Sequence, residues 1–207
     1  MRFVRYLGRS FVKIYYDIFD IVIVNVLWVL LSLPIITIPG AMAGLFYATS
    51  RLVKNESISA RTFFDGFRKY FWASWRWTLM NMIVFLAIYM NYDYYLNAEG
   101  PNSKWLVGIV IGFGMIWIML QLFIFPLLIE QREKSLLDAV RNSILLFLRH
   151  PGPAYLTAFL VSAFALVSVW LFGIPWLIFL GGLCAYLITT TLMYVIGKTE
   201  YVNPTVS

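Results

Sequence analysis

Long stretches without a single charged side chain decide what this sequence can fold into. The longest covers 47 residues, from Pro151 to Gly197, and two others cover Ile21–Ser50 and Trp105–Ile129. A helix needs about 20 apolar residues to cross the ~30 Å hydrocarbon core of a bilayer. Each stretch is long enough for at least one crossing, so the sequence predicts an all-α integral membrane protein.

The composition is typical of a protein whose solvent is lipid. Apolar residues make up 61% of the 207 residues, charged residues only 13%, and the mean hydropathy is +0.79. Soluble domains carry roughly 25% charged residues. One membrane domain, 1–207, accounts for the length. The first apolar stretch lacks the small-residue cleavage site of a signal peptide, so we expect it to remain as the first helix.

Prolines and glycines divide the uncharged stretches into helices. Pro34, Pro39 and Gly40 interrupt the first stretch, because proline removes a backbone donor and clashes with the preceding turn. Gly173-Ile174-Pro175 divides the last one. Six membrane helices are predicted, the second of them short: one ending near Leu33, then 40–53, 77–96, 105–129, 154–172 and 176–197.

The basic residues favour an even number of crossings before Arg51. With both termini in the cytoplasm and six crossings, fifteen of the sixteen Lys and Arg residues lie on the inner side, which leaves only Lys104 outside. Cytoplasmic loops normally carry this excess. Segment 40–53 either crosses fully or is re-entrant, dipping in and returning while protein surrounds it. The topology also accounts for the net charge of +6, so we expect no nucleic-acid partner.

Two inner segments have the periodicity of amphipathic helices. One begins at Thr62-Phe63-Phe64-Asp65, and the other covers 133–149, where Ser135-Leu136-Leu137-Asp138 has the form of a capping box. Each lies between two predicted spans, an order expected if 14–96 and 105–172 arose by internal duplication. The helices either rest on anionic lipid of the inner leaflet or form a docking surface for a partner. The candidate surface residues are Phe63, Phe64, Asp65, Gly66, Phe67, Arg68, Asp138, Arg141 and Asn142.

Residue types that carry out enzyme chemistry are scarce. His150 is the single histidine and Cys184 the single cysteine, so we expect neither a histidine-based metal site nor a zinc site of paired cysteines. The predicted spans lack the paired aspartates, the Ser–His pair and the metal-binding triad of intramembrane proteases. The prediction is a protein without catalytic residues, metal or cofactor.

Neutral polar residues and small residues inside the spans have two possible uses each. The polar residues Asn25, Asn81, Gln121 and Thr190 either line a path for a neutral solute or hydrogen-bond between helices. The glycine pairs Gly40/Gly44 and Gly108/Gly112 have a four-residue spacing that lets helix backbones approach closely. The glycines are candidates for packing within the bundle or against another membrane protein, including a second copy of this chain.

Three short motifs follow one another along the chain. A basic N-terminus leads to Leu33-Pro34-Ile35-Ile36-Thr37-Ile38-Pro39-Gly40, and Phe63-Phe64-Asp65-Gly66-Phe67-Arg68 and Asp138-Ala139-Val140-Arg141-Asn142-Ser143 come later. Their order and spacing over nearly the whole chain resemble the YesL family of bacterial membrane proteins. That family has no assigned function and is typically encoded beside sugar-binding proteins and permeases of carbohydrate ABC importers. The resemblance implies a partner role in oligosaccharide uptake at a bacterial plasma membrane, and it supplies no catalytic residues.

Three functions remain open at this point. The first is a non-catalytic accessory subunit that binds the permease subunits of a carbohydrate ABC importer. The second is an independent small transporter or channel for a neutral solute. The third is a membrane scaffold or sensor for a regulatory partner. Co-purification with permeases would favour the first, and solute flux through the isolated protein would favour the second.

Overall fold

The structure is a computed structural model that describes residues 2–98, 100, 102–131, 135–171 and 173–197. Regular structure within these residues is helical throughout. The α-helices are α1 Arg2–Ser32, α2 Ile38–Val53, α3 Ala60–Asn97, α4 Ser103–Glu130, α5 Leu136–Arg149, α6 Pro151–Trp170 and α7 Gly181–Val195. A 3₁₀ turn, Ile35–Thr37, joins α1 to α2, and a π-helical turn, Trp176–Leu180, leads into α7.

Among the described residues, five helical segments are long and apolar enough to cross a membrane: Val12–Ser32, Ala60–Asn97, Ser103–Glu130, Pro151–Trp170 and Ile178–Val195. The chain therefore has the make-up of a multi-pass membrane protein, and the all-α prediction is confirmed. Helix α2 is not among the five. Its 16 residues rise about 24 Å at ~1.5 Å per residue, which is short of the ~30 Å hydrocarbon core. The count of six crossings stays a prediction.

The largest difference from the predicted helices lies in α3. The sequence predicts a cytoplasmic helix from about Thr62 and a separate span from Trp77, but the structure has one helix of 38 residues. No proline interrupts this segment, so its amphipathic half and its apolar half continue as a single helix. The helix also starts earlier than predicted. The Ser59 N–H donates to Thr62 Oγ1 at 3.2 Å, so Thr62 belongs to a cap that begins at Ser59.

The second predicted cytoplasmic helix is a separate element, α5. The Asp138 N–H donates to Ser135 Oγ at 3.3 Å, as the predicted cap requires, and α5 ends at Arg149. The next helix starts at once with Pro151, because proline is well tolerated in the first turn of a helix. Some residues of the predictions lie outside the described part of the chain, namely Arg132, Glu133, Lys134, Phe172 and Lys198.

Helices α2 and α7 form the centre of the bundle. Every residue of α7 from Gly181 to Met193 is buried, and most of α2 is buried as well. Helix α2 packs against α1, α3, α4 and α7. Protein therefore surrounds α2 on most sides, which is the condition under which a short or re-entrant segment is tolerated inside a membrane.

Glycines bring the backbones of α2 and α3 close together. A Cβ atom at Gly40 would lie 2.8 Å from the Phe67 ring, and one at Gly44 would lie 2.9 Å from the Phe63 ring. No real side chain fits at such distances. The aromatic face of α3 thus packs directly onto the backbone of α2, in the way small residues permit between membrane helices.

Helix α3 extends well past the turn between α1 and α2. The Trp75 Nε1–H donates to the Ile36 carbonyl at 3.1 Å, which fixes α3 to this turn. From Trp75 the helix continues for 22 residues to Asn97, or about 33 Å at ~1.5 Å per residue. It forms a hairpin with α4, in which Ile88 is the residue nearest to Gly114. We call residues 78–97 of α3 and 103–116 of α4 the outer hairpin.

Glycine-to-alanine exchanges at two sites test the close packing of α2 on α3. A Cβ at Gly66 would overlap Tyr47 Cβ and lie 2.7 Å from Tyr47 Cγ, whereas a Cβ at Gly112 meets nothing within 4 Å. Alanine favours a helix over glycine by about 1 kcal/mol, but overpacking costs about 1–3 kcal/mol. We expect Gly66→Ala to lower the melting temperature in detergent and Gly112→Ala to leave it equal or higher. Equal effects of the two changes on thermal unfolding would contradict this packing.

Candidate functional site

Asn25 is one of the four polar residues predicted to line a path inside the spans. Its side chain is fully buried in α1, and Asn25 Oδ1 accepts a hydrogen bond of 2.7 Å from the Gly182 N–H. Gly182 follows the π-helical turn, where the regular backbone ladder is interrupted, so its N–H needs an acceptor from another helix. Asn25 therefore links α1 to the first turn of α7.

Asn81 and Gln121 pair with each other between α3 and α4. Asn81 Oδ1 accepts hydrogen bonds from Trp117 Nε1, at 3.0 Å, and from Gln121 Nε2. Asn81 Nδ2 donates to the carbonyl of Trp77 on its own helix at 3.0 Å. All hydrogen-bonding atoms of the Asn81 amide are thus engaged. The cluster is an interhelical link at the base of the outer hairpin.

The threonines of α7 are buried and face other helices. Thr191 and Thr157 join α7 to α6 through a hydroxyl–hydroxyl hydrogen bond of 2.7 Å. Thr190 is fully buried, and its hydroxyl has no partner within the described part of the chain. Of the four predicted lining residues, only Gln121 borders a cavity in the middle of the bundle, with a volume of about 260 Å³. The structure does not bring the four together around one path.

A charged cluster, not anticipated from the sequence, lies where α2 and α4 end. Glu130 Oε1 accepts hydrogen bonds from Ser50 Oγ at 2.7 Å and from Lys54 Nζ at 2.6 Å. The Glu130 side chain is only 7% exposed and that of Lys54 22%. The sequence contained one signal for the cluster. Glu130 directly follows the uncharged stretch 105–129, and basic residues directly follow the stretch 21–50. Because α2 and α4 run parallel, these opposite charges come together at the ends of the two helices.

Lys13 caps the C-terminal end of α2. Its Nζ donates to the carbonyls of Leu52 and Val53, both at 3.1 Å. The last carbonyls of a helix lack partners within the helix and carry a partial negative charge, so a lysine is favourable there. A lysine from α1 thus ties α1 to the end of the central short helix.

A second ion pair at the same end is exposed. Arg51 Nη1 donates to Glu56 Oε2 at 2.5 Å, and the two side chains are 39% and 43% exposed. The hydrogen bond to Glu56 raises the pKa of the Arg51 guanidinium above its usual range. Arg51 also donates to the Tyr47 hydroxyl at 2.9 Å. Because solvent screens this pair, it contributes little to stability.

The residues predicted as a partner surface divide into two groups. Phe63 and Gly66 are buried in the contact between α2 and α3, and Phe67 is half-buried there. Phe64, Asp65 and Arg68 are exposed on the surface of α3, and Asp138 and Arg141 are exposed on α5. Asn142 is half-buried and borders a cavity of about 380 Å³. Of the residues predicted to contact a partner, only Phe64, Asp65, Arg68, Asp138 and Arg141 are therefore fully accessible to one.

The cavity beside Asn142 lies between the ends of α4 and α7, α5 and the start of α6. Its polar lining residues are Glu130, Gln131, Asn142, Arg149 and His150, and leucine, valine and isoleucine side chains form the rest. Glu130 is already engaged by Ser50 and Lys54. Among the described residues no group of three or more His, Cys, Asp or Glu side chains could hold a metal ion. The site thus offers hydrogen-bonding and charged groups without a metal-binding arrangement.

The two predicted glycine pairs lie in different surroundings. Gly40 and Gly44 face aromatic rings of α3, as described above, whereas Gly108 and Gly112 have nothing within 4 Å of an added Cβ. The second pair lies in the outer hairpin, where no helix of the described part of the chain packs on it. The same spacing therefore serves a contact inside the bundle in one case and leaves an open helix face in the other.

The chain is similar to a family of proteins over part of its length. A family model described as "Protein of unknown function, DUF624" matches residues 21–92, which covers the C-terminal part of α1, all of α2 and most of α3. No curated protein and no solved structure matches the chain. The matched segment contains the break between α1 and α2 and the close contact of α2 with α3.

The buried charge cluster gives a second prediction. Glu130→Gln keeps the shape of the side chain but removes the charge beside Lys54, and loss of a hydrogen bond between charged groups costs about 1.5–3 kcal/mol. Glu56→Gln makes the same chemical change in the exposed pair, where the ion pair contributes only about 0–1 kcal/mol to the free energy of unfolding. We expect a clearly lower melting temperature for Glu130→Gln than for Glu56→Gln. The reverse order would contradict the burial of the Glu130 cluster.

Proposed function

We propose that this protein is a non-catalytic membrane subunit that associates with the permease subunits of a carbohydrate ABC importer. The main support for this association is the accessible surface of the outer hairpin. Most of its side chains are exposed, and the open glycine pair lies within it. Helices α1 and α6 also expose apolar side chains, but they do not combine them with an open pair of glycines four residues apart.

Lipid alone covers an apolar helix face without penalty, so exposure by itself does not distinguish a docking site. Two features of the outer hairpin favour a protein partner. Gly108 and Gly112 offer an open backbone, on which another helix can approach closely. Asn91 is exposed beside a groove of about 460 Å³ between α3 and α4, and its Nδ2 donates to the Ala87 carbonyl at 2.8 Å. An amide in an otherwise apolar groove is suited to a hydrogen bond across helices.

The chemistry of the bundle favours this role over independent transport. Asn25, Asn81 and Gln121 are engaged in hydrogen bonds between or within helices, and the cavity that Gln121 borders is otherwise nearly apolar. A path for a sugar needs a line of free hydrogen-bonding groups. The buried hydroxyls of Thr189 and Thr190 have no partner in the described part of the chain, but neither residue lines this cavity, which makes an independent sugar carrier the weaker proposal.

The class of partner comes from the resemblance to the YesL family. Two of the three motifs that carry it, 33–40 and 63–68, lie within the segment 21–92 that the family model matches. Family members are typically encoded beside carbohydrate importers, so a permease is the partner that we propose. The same resemblance supports a bacterial plasma membrane, and the distribution of basic residues supports cytoplasmic termini.

Affinity purification tests the proposal directly. The tagged protein is isolated from its native membranes in a mild detergent, and bound proteins are identified by mass spectrometry. We expect importer permeases in stoichiometric amounts. Gly108→Leu combined with Gly112→Leu should reduce their recovery at least tenfold, because the new side chains block close approach of another helix.

The control is Gly8→Leu, the same exchange at a glycine of α1 that also has nothing within 4 Å. It should leave permease recovery unchanged. Recovery of the chain without permeases would contradict the proposed association. Solute flux through the purified protein in liposomes would favour the transporter instead, and a signalling protein in place of permeases would favour the scaffold.

A further inference from the structure

A cavity of about 260 Å³ lies where α1, α2, α4, α6 and α7 meet. Each helix contributes lining residues, among them Trp28, Phe46, Leu122, Val161 and Cys184. The helices that supply these residues include four of the five segments long and apolar enough to cross a membrane. The cavity therefore belongs to the membrane-embedded part of the bundle.

The lining offers almost no hydrogen bonds to a ligand. Gln121 donates its amide to Asn81, and Trp28 Nε1 donates to Met42 Sδ at 3.1 Å. The remaining lining side chains are apolar apart from the Cys184 thiol, which is a weak donor. An apolar cavity of about 150 Å³ in a soluble protein stays free of water and takes up benzene or xenon. By the same reasoning, this larger cavity favours a hydrocarbon over water.

One side of the cavity lacks a tight wall. Helix α4 packs on α2, α3, α5 and α7, and α6 packs on α5, α7 and the π-helical turn, but α4 and α6 make at most marginal contact. Exposed apolar side chains occur on both helices, such as Met115 and Ile118 on α4 and Leu166 and Val167 on α6. The weakest part of the cavity wall therefore lies between α4 and α6, beside side chains that face lipid.

From these observations we infer that the cavity holds an acyl chain of a membrane phospholipid, which enters laterally between α4 and α6. The chain fills a hole that the side chains leave open and touches all five helices. A bound lipid stabilises the folded bundle by mass action, since the unfolded chain has no such site. The site is separate from the outer hairpin, so the inference does not depend on the proposed function.

A matched pair of substitutions on α6 tests the site. Val161 lines the cavity and is 8% exposed, whereas Val167 is 51% exposed and does not line it. The full chain is reconstituted in vesicles of dioleoylphosphatidylglycerol, extracted in mild detergent and examined by native mass spectrometry. We expect one retained phospholipid per wild-type chain and the same for Val167→Phe. For Val161→Phe we expect at least a tenfold lower occupancy.

A second measurement keeps the test valid if Val161→Phe fails to fold. Cys184 borders the cavity and is the single cysteine of the chain. In delipidated wild-type protein held in amphipol, dioleoylphosphatidylglycerol should slow alkylation of Cys184 by N-ethylmaleimide several-fold. The headgroup alone, glycerophosphoglycerol, should not slow it.

Three results would overturn the inference. The first is a wild-type protein that retains no phospholipid and whose Cys184 reacts equally fast with and without it. The second is a folded Val161→Phe variant that retains phospholipid as the wild type does. The third is protection of Cys184 by glycerophosphoglycerol to the same degree as by the whole lipid, which would assign the binding to the headgroup.

Discussion

The close contact between α2 and its neighbours is the constraint on which the rest of the bundle depends. This helix is too short to cross the hydrocarbon core comfortably, so its ends need partners from the protein. At one end, Thr37 Oγ1 donates to the carbonyls of Leu31 and, at 2.7 Å, of Pro34, which closes the turn from α1. At the other end, Lys13 donates to the last carbonyls. The small residues of α2 then let α3 and α7 pack against it, which makes a short helix the centre of the structure.

The same need for satisfied polar groups explains where the polar side chains of the spans lie. In hydrocarbon an amide or hydroxyl without a partner costs several kcal/mol, by order of magnitude. Asn25 supplies the acceptor for the Gly182 N–H, and Asn81 joins α3 to α4. These links replace the hydrophobic driving force, which is weak between helices that lipid already surrounds. Asn25 and Asn81 thus hold the helices in register, and the Oδ1 atoms of both amides are already engaged in this role.

The sequence predicts the helices well because it contains the signals that start and stop them. Uncharged stretches, the proline break near Pro34 and the cap at Ser135 place most boundaries within a few residues of the observed ones. The continuity of α3 could not be predicted in the same way. A change from an amphipathic to an apolar pattern suggests the end of one helix and the start of another. The helix ends there only if a residue such as proline interrupts it. Nor does the sequence tell the two glycine pairs apart, because their surroundings are set by tertiary packing. The pairing of Glu130 with Lys54 joins positions 76 residues apart and depends on the parallel course of α2 and α4.

The two binding proposals concern the cavity in the bundle and the surface of the outer hairpin, which offer different contacts to a ligand. In the bundle, five helices meet imperfectly and leave a cavity that a flexible hydrocarbon fills without hydrogen bonds. In the outer hairpin, two helices share one contact face, and their other faces include an open glycine pair and an exposed amide. A lipid chain has neither the rigid shape nor the donors that would use those features, whereas a protein helix has both. The cavity therefore favours a lipid and the hairpin a protein. Since no residue of the outer hairpin lines the cavity, each site can be altered while the other is left intact.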